Sequence, residues 1–184
     1  MVPQPRSEVV RRVVGRRAAV RGAPEDPGGG LLFSRIRACG LALRHAKNKN
    51  VDGIFYRSAD GLVGFEAGPH LLPGVRHTAV WTERNTLHLL YTLAGDAPER
   101  IHHATVDLSR DWSAWEPSSP EVVLEPELEW EGADLPLEPS RYGRAKGRVR
   151  QLRDPCVFEA SGRRYLLYSG AGESAIGLAR IYSR

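Results

Sequence analysis

Cysteine is scarce: Cys39 and Cys156 are the only two in 184 residues. Two are too few for a disulfide framework. Neither stands in a C-x-x-C or Cys/His cluster, which argues against a structural zinc site. Cys156, inside the apolar run PCVF, is expected to be a small buried hydrophobe. Long apolar runs are missing as well. None reaches the ~18–20 residues that a membrane-spanning helix needs, and no charged stretch leading into an apolar one marks a secretory signal. A cytoplasmic protein with no membrane partner is expected.

Acidic residues are sparse at one end only. The net charge of +4 hides two regions of opposite sign. Residues 1–50 hold eleven Arg and Lys against three Asp and Glu, and residues 51–184 hold fifteen against nineteen. Basic character therefore belongs to the N-terminal part, and the rest is mildly acidic. SEVVRRVVGRRAAVR reads as a short helix, with Ser7 as N-cap and Val9, Val10, Val13 and Val14 on one side. APEDPGGG, residues 23–30, reads as a linker. The segment has no aromatic interleaving, so a solvated basic stretch outside the fold is expected rather than a nucleic-acid arm.

From residue 51 onward, short runs rich in Val, Ile, Tyr, Phe and Trp alternate with Gly, Pro, Asp, Asn and Ser. That texture predicts many antiparallel strands joined by turns. GIFYRS, VGFEAGP, HTAVWTE, TLHLLYTLAG, RIHHATVDL, PCVFEA, RRYLLYSGAG and AIGLARIY are the strand candidates. SADGLVGF, with its Asp-Gly step, reads as a hairpin turn. The chain also repeats itself. Slid by 77 residues, Val80 falls on Val157, Trp81 on Phe158, Tyr91 on Tyr168 and Gly95 on Gly172. The repeating unit is a sheet of about four strands, which predicts an all-β fold, a partial β-propeller of two to three blades. The blades are expected at about 51–76 (partial), 77–152 and 153–184 (partial), with 1–50 as an irregular or partly helical basic segment. Aromatic residues at equivalent positions (Trp81, Tyr91, Tyr165, Tyr168) are expected in the core between blades.

YRSADGLVGFEAGP, GDAPERI, WEGADLPL and LRDP follow one another in an order that resembles the five-bladed β-propeller glycosidases. These are the family 43 arabinanase/xylosidase-like and invertase/levansucrase-like glycoside hydrolases, with the nearest likeness to bacterial members. The resemblance covers residues 52–182. It implies an oligosaccharide or glycan substrate, and it implies that Asp154, in the RDP motif, contacts sugar hydroxyls and supports the transition state.

Glycoside hydrolysis needs two carboxylates of different pKa across the scissile bond. In a propeller the innermost strand of each blade opens on the central funnel. His77 and Asp154 stand at equivalent starts of such strands, which makes Asp154 the first catalytic candidate. Glu131 or Asp134, beside Trp130, is the candidate acid, since an apolar neighbour raises a carboxyl pKa. His77, Arg153, Arg150 and Glu173 are candidates for binding substrate. The run RYGRAKGRVRQLR holds six Arg and Lys and suits an anionic sugar or a phosphate. No metal and no cofactor is demanded by any motif. Three functions stay open: a glycosidase or part of one, a carbohydrate-binding propeller without turnover, and an incomplete, inactive chain. Assembly of several copies is an expectation if the chain is truly this short.

Overall fold

The computed structural model describes residues 11–16, 34–38, 41–46, 53–60 and 62–182, with side chains from residue 53 onward. Twelve strands form three antiparallel sheets of four among the described residues. The first sheet holds β2 (Ser34–Ala38), β3 (Leu41–Ala46), β4 (Gly53–Ser58) and β5 (Glu66–Leu71) in that order. The second holds β6 (Val75–Glu83), β7 (Thr86–Leu93), β8 (Ile101–Asp107) and β9 (Glu121–Leu124). In the third, β10 (Arg153–Ala160), β11 (Arg163–Gly170) and β12 (Ala175–Ile181) run in sequence, and β1 (Arg11–Arg16) pairs with the outer edge of β12. The meanders start at β2, β6 and β10, and these starting strands face one another. The fold is all-β, a partial propeller.

Two expectations for the first fifty residues are corrected. Arg11–Arg16 is a strand where valine spacing suggested a helix. Valine is stiff at χ1 and favours a pleated strand when a partner edge is on offer, and β12 offers one. The other residues of that helix lie outside the described residues. The boundary at residue 50 also moves, because β2 and β3 extend the sheet that β4 and β5 continue. That blade therefore begins well before residue 51.

Alternation along β7 explains the packing. Leu87, Leu89 and Tyr91 turn to one face and join Phe55, Leu71, Val75, Ala104, Val106 and Trp115 between the first and second sheets. Leu90 turns to the other face and joins Ala79, Trp81, Ile101, Leu124, Leu152, Leu166 and Tyr168 between the second and third. A period of two thus buries both faces of the middle blade. Trp81, Tyr91 and Tyr168 are core, as their repeat positions predict. Trp81 stacks on His88 (centroids 4.4 Å apart), and His88 Nδ1 meets His103 Nε2 at 3.0 Å. Burial, His103 and Arg164 push the His88 imidazole down to about 4 against the weaker pull of Glu83.

Phe158, the repeat partner of Trp81, is 38% exposed, and Cys156 is exposed too. Both corrections have one cause. Val157 packs into the core between the second and third sheets, so Cys156 and Phe158 on either side of it lie on the opposite face of β10. That outer face is uncovered among the described residues. Tyr165 is half-buried and stacks on Phe158 at 5.2 Å. The SADGLVGF turn is held by Asp60, whose Oδ1 accepts the N–H groups of Leu62 (2.7 Å) and Val63 (3.0 Å). Those bonds hold its carboxyl below the usual range.

Candidate functional site at the starts of the inner strands

β6 and β10 start side by side, and the 77-residue offset that aligns His77 with Asp154 also aligns Arg76 with Arg153. At each start, the arginine points inward and the next side chain outward. Arg76 and Arg153 are 5% and 3% exposed, and between them lies Glu99, which is fully buried. Glu99 Oε2 is 3.3 Å from Arg76 Nη1 and 3.2 Å from Arg153 Nε. Burial pushes the Glu99 carboxyl up, and the two guanidinium groups pull it back. Burial likewise pushes Arg76 down, with Glu99 opposing. Arginine stays charged under such pressure, so the centre is a buried triad with two cations and one acid.

Chain geometry puts Glu99 there. The segment after β9 passes through the 3₁₀ turn Glu129–Glu131, then returns over the β7–β8 connection. Gln151 bridges to Glu99 in a short parallel contact, and Leu152 N–H donates to Glu99 C=O at 2.9 Å. Gln151 Oε1 accepts from Arg153 Nε (3.1 Å) and from its Nη2. Arg153 Nη1 reaches Glu173 Oε1 at 3.3 Å, and Arg153 and Arg76 both donate to Gly143 C=O.

Outside this triad stand His77 and Asp154. Their pairing is direct, with His77 Nε2 3.0 Å from Asp154 Oδ1. Ser169 Oγ donates to Asp154 Oδ2 at 2.9 Å. The Asp154 side chain is 43% exposed, and its backbone has φ 51°, the left-handed region that non-glycine residues seldom adopt. Such a conformation costs about 1–2 kcal/mol, and it sits within the bulge where Arg153 turns inward and Asp154 outward. Arg153 therefore does not pair with Asp154. Its ion pairs go to Glu99 and Glu173.

The other candidates fall elsewhere. Glu131 is fully buried with both oxygens engaged. Oε2 accepts the N–H groups of Glu127 (2.9 Å) and Leu128 (3.0 Å), and Oε1 accepts the Tyr168 hydroxyl at 2.7 Å. A carboxylate that closes a 3₁₀ turn from inside the core has no path to a sugar, which corrects its reading as general acid. Asp134 is exposed and lies 3.7 Å from Arg148 on the outer loop, with no described contact to Asp154. Arg150 has its Nε buried without a hydrogen-bond partner, and its Cα lies close against Gly132. Glu173 is at the site, one-third exposed, held by Arg153 and lying 3.9 Å from Arg144. Sequence reasoning missed Arg76, Glu99 and Gln151. The repeat offset marks Arg76, whereas Glu99 and Gln151 carry no periodic signal. Among the described residues, no group of three or more His, Cys, Asp or Glu could hold a metal ion.

No family model matches the sequence. Among solved structures, the catalytic domain of a family 62 α-L-arabinofuranosidase from Coprinopsis cinerea superposes on 83% of this chain and 55% of its own, with a TM-score of 0.50 at 12% identity. The chain shares the fold of that domain. At that identity the likeness is one of fold alone. A family 43 endo-arabinanase from Bacillus licheniformis matches 79% of this chain and 67% of its own at 12% identity, with a TM-score of 0.46. In sequence, the chain is 35% identical over 146 residues to an uncharacterized protein of Acanthamoeba polyphaga mimivirus, a viral rather than a bacterial relative. That match takes in 70% of this chain, which spans 41% of the viral protein's length.

Proposed function

We propose that this propeller handles glycans at the mouth formed by the starts of β6 and β10, as part of a glycoside hydrolase of the five-bladed, family 43-like kind. One observation carries the reading. Asp154 is held outward in a strained conformation, oriented by His77 and Ser169, above a buried triad that fixes the strand start beneath it. Strain of this sort persists only where the surroundings enforce it, and it clusters at functional sites. An oriented, solvent-facing carboxylate suits the hydroxyls of a sugar. Glu173, one-third exposed and paired with Arg153, is the second carboxylate at this mouth, and it takes the place first given to Glu131 as candidate acid.

A second reading, glycan binding without turnover, is favoured by the withdrawal of Glu131 into the core, which leaves Glu173 as the one partner for Asp154 at this mouth among the described residues. Aryl-glycoside hydrolysis separates the two. Hydrolysis by the full chain that falls at least a hundredfold in Asp154→Asn and in Glu173→Gln supports an enzyme. Sugar binding with no hydrolysis in either form supports the binding module, and hydrolysis untouched by both substitutions overturns the site.

A further inference from the structure

Beside Glu173 lies a cavity of about 440 Å³, walled by Arg144, Lys146, Gly147 and Ser174. Its volume is within the ~300–1,000 Å³ of small-ligand sites. The wall belongs to the loop 141–150, which holds Arg141, Arg144, Lys146, Arg148 and Arg150 and no acidic residue. This loop is fixed mostly by its backbone. Gly143 C=O takes bonds from Arg76 and Arg153, and Val149 N–H donates to Ala171 C=O at 3.4 Å. Gly172 presses against Ala145 and Val149 so closely that a Cβ there would come within 2.8 Å of Val149. Of the cations, Arg148 is engaged with Glu129 C=O and Asp134. Arg144 has only the 3.9 Å approach to Glu173, and Lys146 has no ion-pair partner among the described residues. The loop therefore places a basic wall at the glycan mouth in which Arg144 and Lys146 are not needed to hold the loop itself.

The geometry points to a subsite for a carboxylate-bearing sugar, a hexuronate unit, with its carboxylate on Arg144 and Lys146 and its hydroxyls on Glu173 and Ser174. This rests on the glycan reading above and adds the substrate class. Glu173 decides between anions. An acid in the wall repels a densely charged phosphate group but accepts hydroxyl protons, so the fitting ligand is a hydroxyl-rich monoanion. No aromatic side chain lines the cavity to stack a nucleobase, and Tyr142 is occupied with the Arg76 guanidinium 5.9 Å from its ring.

The test is calorimetric titration of the full chain with pairs of oligosaccharides. Members of a pair are identical except that C6 of one ring is a hydroxymethyl group or a carboxylate. The acidic member is expected to bind about tenfold more tightly in at least one pair, the scale of a charge-assisted contact, and to lose that advantage between 50 and 500 mM salt. Arg144→Gln with Lys146→Gln should abolish the preference and leave the neutral member unchanged, while Lys146→Arg keeps it. Both cations are exposed, so folding is not at stake, and an unchanged melting curve checks that. Equal or tighter binding of the neutral member in every pair that binds overturns the subsite and leaves the glycan reading standing. Binding of no member at all overturns both.

Discussion

At the scale of single residues, the buried triad is the most exposed part of the account to test. Removing the charge of Glu99 leaves two buried guanidinium groups facing each other. Glu99→Gln is expected to cost about 3–5 kcal/mol, the usual result of breaking a buried pair from one side. It should appear in urea unfolding as a lower midpoint at unchanged slope. An unaltered midpoint would mean that water reaches the triad. His88 gives a second prediction, in pH. Folded, it is neutral until about 4, while in the unfolded chain it takes a proton near ~6.5. Between those values the unfolded state binds more protons, so stability rises with pH from about 4 to ~6.5 and is lost as pH falls through that window. The contribution is about 2–3 kcal/mol. His88→Phe keeps the stack on Trp81 and removes the titration. Wild type should lose stability relative to the variant on going from pH 7 to pH 4.5, and a constant difference would contradict a depressed imidazole. Sequence spacing found His77 and Asp154 because a repeat offset is visible in the text of the chain. The same offset places Arg76 on Arg153, a signal that went unread. Glu99 was not legible, since ion pairs across loops have no period. Glu131 was misread for a related reason: a carboxylate capping a buried turn looks, in sequence, like any acid in a loop.

At the scale of elements, strand existence followed from composition after residue 51, except at β9, whereas β1, β2 and β3 had no strand candidate. GIFYRS became β4 without a residue of error, and most other strands agree with their candidates within about two residues. Burial within β10 did not follow, because the face of β10 that carries Cys156 and Phe158 is uncovered among the described residues, whereas the equivalent face of β6 packs on the third sheet. Close packing between neighbouring strands is the other feature hidden from sequence. Gly177 on β12 pairs with Tyr168 on β11, and a Cβ at 177 would sit 2.3 Å from the tyrosine ring. Gly177→Val is expected to push Tyr168 off Glu131 and cost about 2–3 kcal/mol by overpacking. Thermal unfolding would register this, and a fluorescence change in Trp130, whose ring centroid lies 6.0 Å from that of Tyr168, would confirm the path.

At the scale of the whole molecule, the joint that matters is β1 on β12. A strand from the start of the chain covers the outer edge of the last sheet. Uncovered edges recruit other chains, so deleting residues 1–16 is expected to lower the unfolding midpoint and to cause concentration-dependent association in light scattering. A deleted chain that stays monomeric and equally stable would mean the pairing adds nothing. The opposed charges along the sequence acquire a meaning here as well. The basic surplus that seemed confined to the first fifty residues has a counterpart in the loop 141–150, at the mouth where a glycan would arrive. The central claim is that this mouth, and not another face of the propeller, is where a sugar is held. The groove walled by Trp81, His88 and Arg164 at the far ends of the same strands is the natural competitor. A crystal structure of the full chain with a bound oligosaccharide tests this most directly. The account predicts sugar hydroxyls within hydrogen-bond distance of Asp154 and His77, with Glu173 on the same ring or the next. Sugar seated in the Trp81 groove, with Asp154 untouched, would contradict it.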